Sequence, residues 1–230
     1  MRIVQGLGFD SYKQFQHHLH ELSLAFATSL DTMQQLEHSS GSGSPARDSL
    51  FQDLKNLQAL KNTLDPARFT ALSKRLYAAR RVILIAGDLA SYMADYFGYQ
   101  LNLLGLPIFV ATTPGAITHI VRAITRQDLV IAISFRRGLK YTVEGTQQAR
   151  LNGAYCVGIT DTYLSPLART CNEVFLASTD SVFFGASYAA PIALANAILT
   201  AIGESRRSRT MAIVHELAEE QRKGSRWYTP

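Results

Sequence analysis

Cysteine is scarce in this chain, which has only two in 230 residues, Cys156 and Cys171. They form no Cys-x-x-Cys pair and belong to no cluster of potential metal ligands. A metal site or a disulfide framework is therefore not expected, and no cofactor is predicted. Both cysteines fall near apolar segments, which is typical of buried thiols.

Long apolar runs are also absent. A helix that crosses a bilayer needs about 20 apolar residues, and the longest candidate, residues 186–202, is interrupted by Pro191 and Asn196. Arg2 is followed by a mixed polar stretch without the apolar core of a signal peptide. The sequence therefore predicts a cytoplasmic protein without a membrane partner.

Charge is only slightly one-sided. The chain has 23 Lys and Arg against 18 Asp and Glu, which gives a formal net charge of +5 at pH 7. This excess suits an anionic partner, either nucleic acid or phosphate, although most basic residues are spread along the chain. With 47% hydrophobic residues, the 230 residues can bury the core of one α/β domain and carry a small appendage.

The first of three regions, residues 1–38, is predicted to be helical. A short helix ends near Gly8, and Asp10 or Ser11 is predicted to cap the next one. Residues 39–47 are rich in serine and glycine and predict a flexible segment, either a domain linker or a loop between helices. The helix that Asp10 or Ser11 caps, within residues 1–38, carries an apolar stripe with spacings of three and four. This stripe is formed by Leu19, Leu22, Phe26, Leu30 and Met33.

The third region, residues 48–230, is predicted to form an α/β domain. Leucines recur at helical spacing up to Leu64, and Asp65-Pro66 then supplies the cap and the first position of another helix. Such a domain needs strands, and apolar runs rich in β-branched residues alternate with helical segments at residues 82–86, 107–110, 129–133, 155–159 and 173–177. These runs are typical of parallel strands buried on both faces. The prediction is a three-layer α/β/α sandwich with a five-stranded parallel sheet, preceded by a short all-α segment.

Ligands of open parallel sheets bind beyond the carboxyl ends of the strands, so the residues after each strand are candidates for the site. Gly87 follows the first strand, and Ser91 either caps the next helix or offers its hydroxyl to an anion. Leu89 stands in the middle of this loop. The loop therefore lacks a Gly-x-Gly-x-x-Gly pattern, which disfavours a dinucleotide site.

The loop after the third strand is the most informative part of the sequence, because it contains Ser134, Arg136, Arg137 and Thr142. Guanidinium groups directly after a buried strand need an anion, an acidic partner or water. Each can hold a phosphate or carboxylate through two parallel hydrogen bonds. We predict that at least one of the two arginines binds an anion. The alternative is that one forms a salt bridge, within or between subunits, while the other is solvated.

Taken in order along the chain, these motifs resemble the sugar isomerase (SIS) domain over residues 65–202. The residues that carry the resemblance are 82–87, Ser91, Ile133, Ser134, Gly138, Thr142, 158–161 and 164–168. In that family the hydroxyl-rich loops after the first and third strands bind phosphorylated sugars. The resemblance therefore implies that Ser91, Ser134 and Thr142 contact such a ligand.

Two departures from the family pattern concern the same loops. Arg136 and Arg137 stand where the family usually has serine and glycine, and this Ser-Phe-Arg-Arg form is similar to one subgroup of RpiR-type transcriptional regulators. Leu89 stands where the first loop usually has its second glycine. The resemblance therefore leaves the exact ligand open, either a phosphorylated sugar or a related anionic sugar.

The N-terminal region also resembles these regulators. Residues 3–12, with Phe15, look like the end of the RpiR-type helix-turn-helix domain. The chain is accordingly expected to be an RpiR-family regulator with a truncated helix-turn-helix, which binds DNA only where a complete one stands upstream. The alternative is that this segment is only a packing helix. Resemblance to SIS domains further implies a homodimer or homotetramer.

Two functions fit the predicted pocket. One is sensing of a sugar phosphate by a regulator, and the other is isomerisation of a sugar phosphate, which requires a general base and an acid. Glu144 is a weak candidate for the base, with His119, His215 and Glu216 as further candidates, and none of them forms a convincing acid–base pair. A sensor is therefore favoured over an enzyme. A domain with only a structural role is the third alternative.

Overall fold

The computed structural model describes residues 44–224, together with residues 8, 10–16 and 19. In residues 44–224 the elements follow each other as α1 (Pro45–Thr63), α2 (Pro66–Ala78), β1 (Val82–Ala86), α3 (Leu89–Leu103), β2 (Ile108–Ala111), α4 (Pro114–Arg122), β3 (Leu129–Ile133), α5 (Lys140–Leu151), β4 (Tyr155–Thr160), a 3₁₀ turn (Ala168–Thr170), β5 (Glu173–Leu176), α6 (Ala189–Ser205) and α7 (Arg207–Lys223). Strands and helical segments alternate from β1 to α6, as the sequence pattern predicts.

The sheet is parallel throughout, and its five strands lie in the order β2-β1-β3-β4-β5. β1 pairs with β3 from Val82 opposite Leu129 to Ala86 opposite Ile133. Apolar residues of α2, α3 and α6 cover one face of the sheet, and those of α4 and α5 cover the other. The predicted three-layer sandwich with a five-stranded parallel sheet is therefore confirmed.

Two helices begin where capping residues precede a proline. The Asp65 carboxylate accepts a backbone N–H of the first turn at 2.9 Å in front of Pro66, as predicted. The Thr113 hydroxyl does the same at 3.2 Å in front of Pro114. Proline lacks a backbone donor and has a helical φ, so it suits the first helical position. The sequence therefore determines locally where both helices start.

Few residues before 44 belong to the described part of the chain. Ser11 Oγ accepts the N–H of Gln14 at 3.1 Å at the start of the helical residues 12–16, so Ser11 is the cap. The predicted apolar stripe beyond Leu19 and residues 39–43 lie outside the described residues. Helix α1 begins at Pro45, three residues before the start predicted for the third region.

Helix α1 is joined by side chains to the segment between β5 and α6. The buried Asn56 donates its side-chain N–H to the carbonyl of Asp180 at 2.8 Å. Ser187 donates its hydroxyl to Asp53 Oδ1 at 2.5 Å. Since residues 177–188 leave the carboxyl edge of the sheet, these bonds connect α1 to that edge.

The amino edge of the sheet is closed by an ion cluster around Asp128, whose side chain is fully buried. Arg80 and Arg81 each donate to both carboxylate oxygens, with closest distances of 2.8 and 3.1 Å, and the N–H of Thr125 donates to Oδ2 at 2.8 Å. Burial alone would raise the pKa of Asp128, but the hydrogen bonds from the two arginines outweigh burial and hold this pKa well below its usual range.

The two cysteines are buried, as predicted. Cys156 and Cys171 are free and buried, and burial raises the pKa of Cys156 to about 12, which confirms the prediction of buried thiols. No cluster of His, Cys, Asp and Glu suited to a metal ion occurs among the described residues. In the same part of the chain, no helix has the length and apolar character needed to span a membrane.

Candidate ligand-binding crevice

The order of the strands places the candidate site between β1 and β3. From β1 the chain passes to α3 on one face of the sheet, and from β3 it passes to α5 on the other face. The loops that leave these two neighbouring strands therefore diverge and open a crevice at the carboxyl edge. In open α/β sheets such a switch point is where ligands bind. Gly87 to Leu89 follow β1 at this point, and residues 134–139 follow β3.

The loop after β1 turns through a strained residue. Asp88 has φ 53° and ψ −139°, a conformation that glycine adopts readily and other residues rarely do. It occupies the N-cap of α3, but its carboxylate accepts no capping hydrogen bond from the backbone. Ser91, which was predicted either to cap the helix or to face the ligand, lies in the first turn and is therefore not the cap. Its hydroxyl donates to the carbonyl of Asp88 at 2.6 Å.

The loop after β3 is shaped by a carboxylate from the next strand. Arg136, with φ 55°, donates its backbone N–H to Asp161 Oδ1 at 3.1 Å and Oδ2 at 2.9 Å. Asp161 directly follows β4 and is half-buried. Ser134, buried at the end of β3, accepts the N–H of Leu139 at 3.2 Å. Both bonds hold the loop between Ser134 and Leu139 in a fixed turn.

Asp161 has more hydrogen-bond donors than the Arg136 N–H. The hydroxyl of Thr160 lies 3.3 Å from Oδ1, and the hydroxyl of Thr179 lies 3.5 Å from Oδ2. Burial raises the pKa of Asp161, while these donors and the charge of Arg136 favour the carboxylate. The motif that carries the resemblance to SIS domains contains Asp161, but no role was predicted for it. Its position directly after a strand was the available signal.

Tyr188, in the segment before α6, packs against the loop after β3, and sequence reasoning missed it. Its ring meets the ring of Phe135 edge-on, with centroids 5.3 Å apart. Burial raises the pKa of the Tyr188 phenol, and the charges of Asp88 and Asp161 raise this pKa further. The geometric contact of the Tyr188 ring is thus with the loop that follows β3.

Thr142 has an unused hydroxyl beside the β1 loop. The residue is buried on α5, and its Oγ1 makes no hydrogen bond within the described residues. A Cβ added to Gly87 would lie 3.7 Å from this oxygen and 2.7 Å from Leu139 Cδ1. The absence of a side chain at Gly87 thus lets the two loops approach each other. An unpaired buried hydroxyl costs folding free energy and needs an explanation.

The remaining candidates lie further out. Arg137 is exposed on the same loop as Arg136. Glu144 is also exposed, lies 3.8 Å from Lys140 Nζ, and lines a groove of about 530 Å³ between α4 and α5 that contains none of the loop residues. The other titratable candidates are exposed on α4 and α7, namely His119, His215 and Glu216. Ser134 and Arg136 thus share the loop after β3, and Thr142 of α5 lies beside Gly87 of the β1 loop. Ser91 lies in the first turn of α3, where its hydroxyl is bonded to Asp88.

Sheet order and crevice define a doubly wound α/β domain with a polar switch point. The family model of the SIS domain matches residues 75–201, more than half of the chain. The chain therefore belongs to the SIS domain family. No curated protein sequence matches it significantly.

Solved structures share the same fold. The sugar isomerase domain of an RpiR transcription factor from Sphaerobacter thermophilus is 27% identical, with a TM-score of 0.72 over 76% of this chain and 98% of that chain. The Vibrio vulnificus NanR protein complexed with ManNAc-6P is 18% identical, with a TM-score of 0.69 over 97% of this chain and 80% of that chain. A Methanococcus jannaschii protein, MJ1247, with an inferred function as 3-hexulose-6-phosphate isomerase, is 16% identical, with a TM-score of 0.54 over 73% and 96%.

Proposed function

We propose that this chain is the sugar-phosphate-sensing domain of an RpiR-type transcriptional regulator. The observation that carries the proposal is the gathering of Ser134, Arg136 and Thr142 at the switch point between β1 and β3. Arg136 supplies a positive charge where open sheets bind ligands. Salt bridges near the sheet engage Arg68, Arg80 and Arg81 within the described residues, but not Arg136. Its charge acts on Asp161 without a salt bridge to it, and we propose that its guanidinium binds the anion.

Similarity to known proteins supports the same ligand class. The chain is 27% identical to the sugar isomerase domain of an RpiR transcription factor, and a fold relative, NanR, is complexed with ManNAc-6P. The ligand is proposed to place its phosphate at Arg136, with Arg137 at the rim and the hydroxyls of Ser91, Ser134 and Thr142 as further hydrogen-bond partners.

Contacts of helix α1 supply a route from the crevice to the N-terminal region. The segment that carries Tyr188 is bonded to α1 through Ser187 and Asp53, and through Asp180 and Asn56. A ligand that moves this segment would move the helix that follows residues 1–43. We propose that these residues include the end of a helix-turn-helix domain, that DNA binding requires the complete domain, and that the regulator is a homodimer or homotetramer.

Isomerisation is the second candidate function, because MJ1247 shares the fold. A general base must reach the reacting carbon of the substrate, and Glu144 lies in the groove between α4 and α5 rather than on the loops of the crevice. We therefore propose a sensor rather than an enzyme.

Calorimetric titration and a turnover assay separate the two functions. The wild-type chain is titrated with ManNAc-6P, glucose 6-phosphate and fructose 6-phosphate, and the same mixtures are followed by NMR for isomerised product. We expect binding of at least one sugar phosphate without turnover. Turnover would establish the isomerase instead, and an absence of binding to the whole panel would contradict both functions.

A further inference from the structure

Asp88 is a non-glycine residue in a conformation that favours glycine. Its φ of 53° and ψ of −139° are strained for a residue with a side chain. The side chain makes no capping hydrogen bond to α3 and is exposed at the crevice. Since glycine would fit this turn with less strain, the carboxylate of Asp88 needs a use other than forming the turn.

The two carboxylates of the crevice differ in what they already bind. Asp161 is held by the backbone N–H of Arg136 and lies beside the hydroxyls of Thr160 and Thr179. Asp88 accepts no hydrogen bond on its carboxylate within the described residues. Both charges act on the phenol of Tyr188. The open carboxylate thus belongs to the β1 loop, while the phenol belongs to a ring that packs edge-on against Phe135 of the β3 loop, with centroids 5.3 Å apart.

These groups suit the neutral part of a ligand. A carboxylate only accepts hydrogen bonds, and a phenol donates one and accepts others, so both pair well with sugar hydroxyls. A phosphate oxygen beside Asp88 would meet a like charge. The negative charge of Asp88 also offsets the positive N-terminus of α3, which would otherwise attract an anion. The anionic end of a ligand is therefore directed to Arg136.

We propose that Asp88 and Tyr188 bind hydroxyl groups of the ligand while Arg136 holds its phosphate, so that the crevice selects a polyhydroxylated phosphate over phosphate alone. This inference rests on the proposed binding of a sugar phosphate. It adds two specificity-determining residues, one from the strained β1 loop and one from the segment before α6.

Asp88→Asn tests the inference, because it removes the charge and keeps the size of the side chain. The wild type and the variant are titrated with ManNAc-6P, glucose 6-phosphate and inorganic phosphate. We expect at least a tenfold loss of affinity for the sugar phosphates that the wild type binds, from weaker hydrogen bonds to an uncharged acceptor, and equal or tighter binding of inorganic phosphate. Asp95→Asn makes the same charge change at an exposed position of α3 and should alter neither affinity.

Two more variants separate recognition from folding. Tyr188→Phe keeps the ring against Phe135 and removes the hydroxyl, so we expect a several-fold loss for sugar phosphates and no change for inorganic phosphate. Asp88→Gly relieves the backbone strain, so the melting temperature should hold or rise while sugar-phosphate affinity falls.

Each other outcome has a definite meaning. If Asp88→Asn binds sugar phosphates and phosphate more tightly to the same extent, Asp88 only repels anions and the inference is overturned. The same holds if both affinities stay unchanged, or if the wild type binds phosphate as tightly as the sugar phosphates. If the wild type binds no member of the panel, the proposed function itself fails, and the inference falls with it.

Discussion

Two Arg-Arg pairs lie next to neighbouring strands of the sheet and differ in which of their groups bind a carboxylate. Arg80-Arg81 directly precedes β1 at the amino edge, and Arg136-Arg137 follows β3 at the carboxyl edge. The guanidiniums of the first pair share the buried carboxylate of Asp128. In the second pair it is the backbone N–H of Arg136, rather than its guanidinium, that donates to a carboxylate.

The two edges of the sheet therefore differ in how completely their polar groups are paired. At the amino edge both guanidiniums bind the one carboxylate of Asp128, so the cluster serves the fold. The carboxyl edge keeps two left-handed non-glycine residues, Asp88 and Arg136, and the unpaired hydroxyl of Thr142. Strain and unpaired polar groups are features that folding alone disfavours, and they collect at functional sites.

Asp128→Asn should have the largest effect on stability. Removing one partner of a buried ion pair costs about 3–5 kcal/mol, and because the two arginines are part-exposed and can be rehydrated, we expect a loss of about 3 kcal/mol in the free energy of unfolding. Urea unfolding measures it. Ligand affinity should stay unchanged, and a loss of binding with full stability would reverse the roles of the two edges.

The same substitution has a pH signature. The pKa of Asp128 is lowered in the folded state, so its stabilising effect is complete above the pKa of an unfolded aspartate, about 4, and is lost as the pH falls below it. The wild type should therefore lose more unfolding free energy than Asp128→Asn between about pH 5 and about pH 2. Parallel pH profiles for the two proteins would contradict this account of the cluster.

Arg136→Gln should have the next largest effect, on binding. A hydrogen bond to a charged group contributes about 1.5–3 kcal/mol, so we expect sugar-phosphate affinity to fall by a factor of about 10 to 100, with little change in stability. The matched control is Arg80→Gln, the same substitution at the amino edge. It should lower stability slightly, because Arg81 still binds Asp128, and leave affinity intact. Equal losses of affinity in both variants would contradict the assignment of ligand binding to the carboxyl-edge pair.

Much of this contrast follows from the sequence, because the strands are continuous apolar runs and the residues after them must lie at one edge. That reasoning predicts the positions of Ser134 and Arg136 from local pattern alone. The partner of Arg80 and Arg81 is less accessible, since Asp128 comes from the loop before another strand. Tyr188 is harder still, because its place depends on how the long segment after β5 folds back. The left-handed backbone of Asp88 has no signal in its own residue type.

The weak candidacy of Glu144 as a general base could have been tested against helix geometry. Successive residues of an α-helix are rotated by about 100° around its axis. Residue 144 therefore lies nearly opposite residue 142, and residue 146 lies on the same side as residue 142. Thr142 and Thr146 are buried in the structure, and Glu144 is exposed between them. Two buried threonines on one side of α5 fix the direction of the glutamate away from that side. Glu144 is close to the Arg-Arg loop in sequence, but this closeness does not tell which side of α5 the glutamate faces.

Thr142→Val should have the smallest effect, and its two readouts should move in opposite directions. Valine has nearly the shape of threonine and lacks the hydroxyl, whose burial without a partner costs about 1–3 kcal/mol. Without ligand, we therefore expect the free energy of unfolding to rise by about 1 kcal/mol. If the hydroxyl is kept for the ligand, sugar-phosphate affinity should fall several-fold in the same protein. Thr146→Val is the control, because the Thr146 hydroxyl already donates to the carbonyl of Thr142 at 2.7 Å. It should not gain stability, and an equal gain would mean that the stability gained by Thr142→Val does not come from the unpaired hydroxyl. Unchanged affinity in Thr142→Val would mean that this hydroxyl does not contact the ligand.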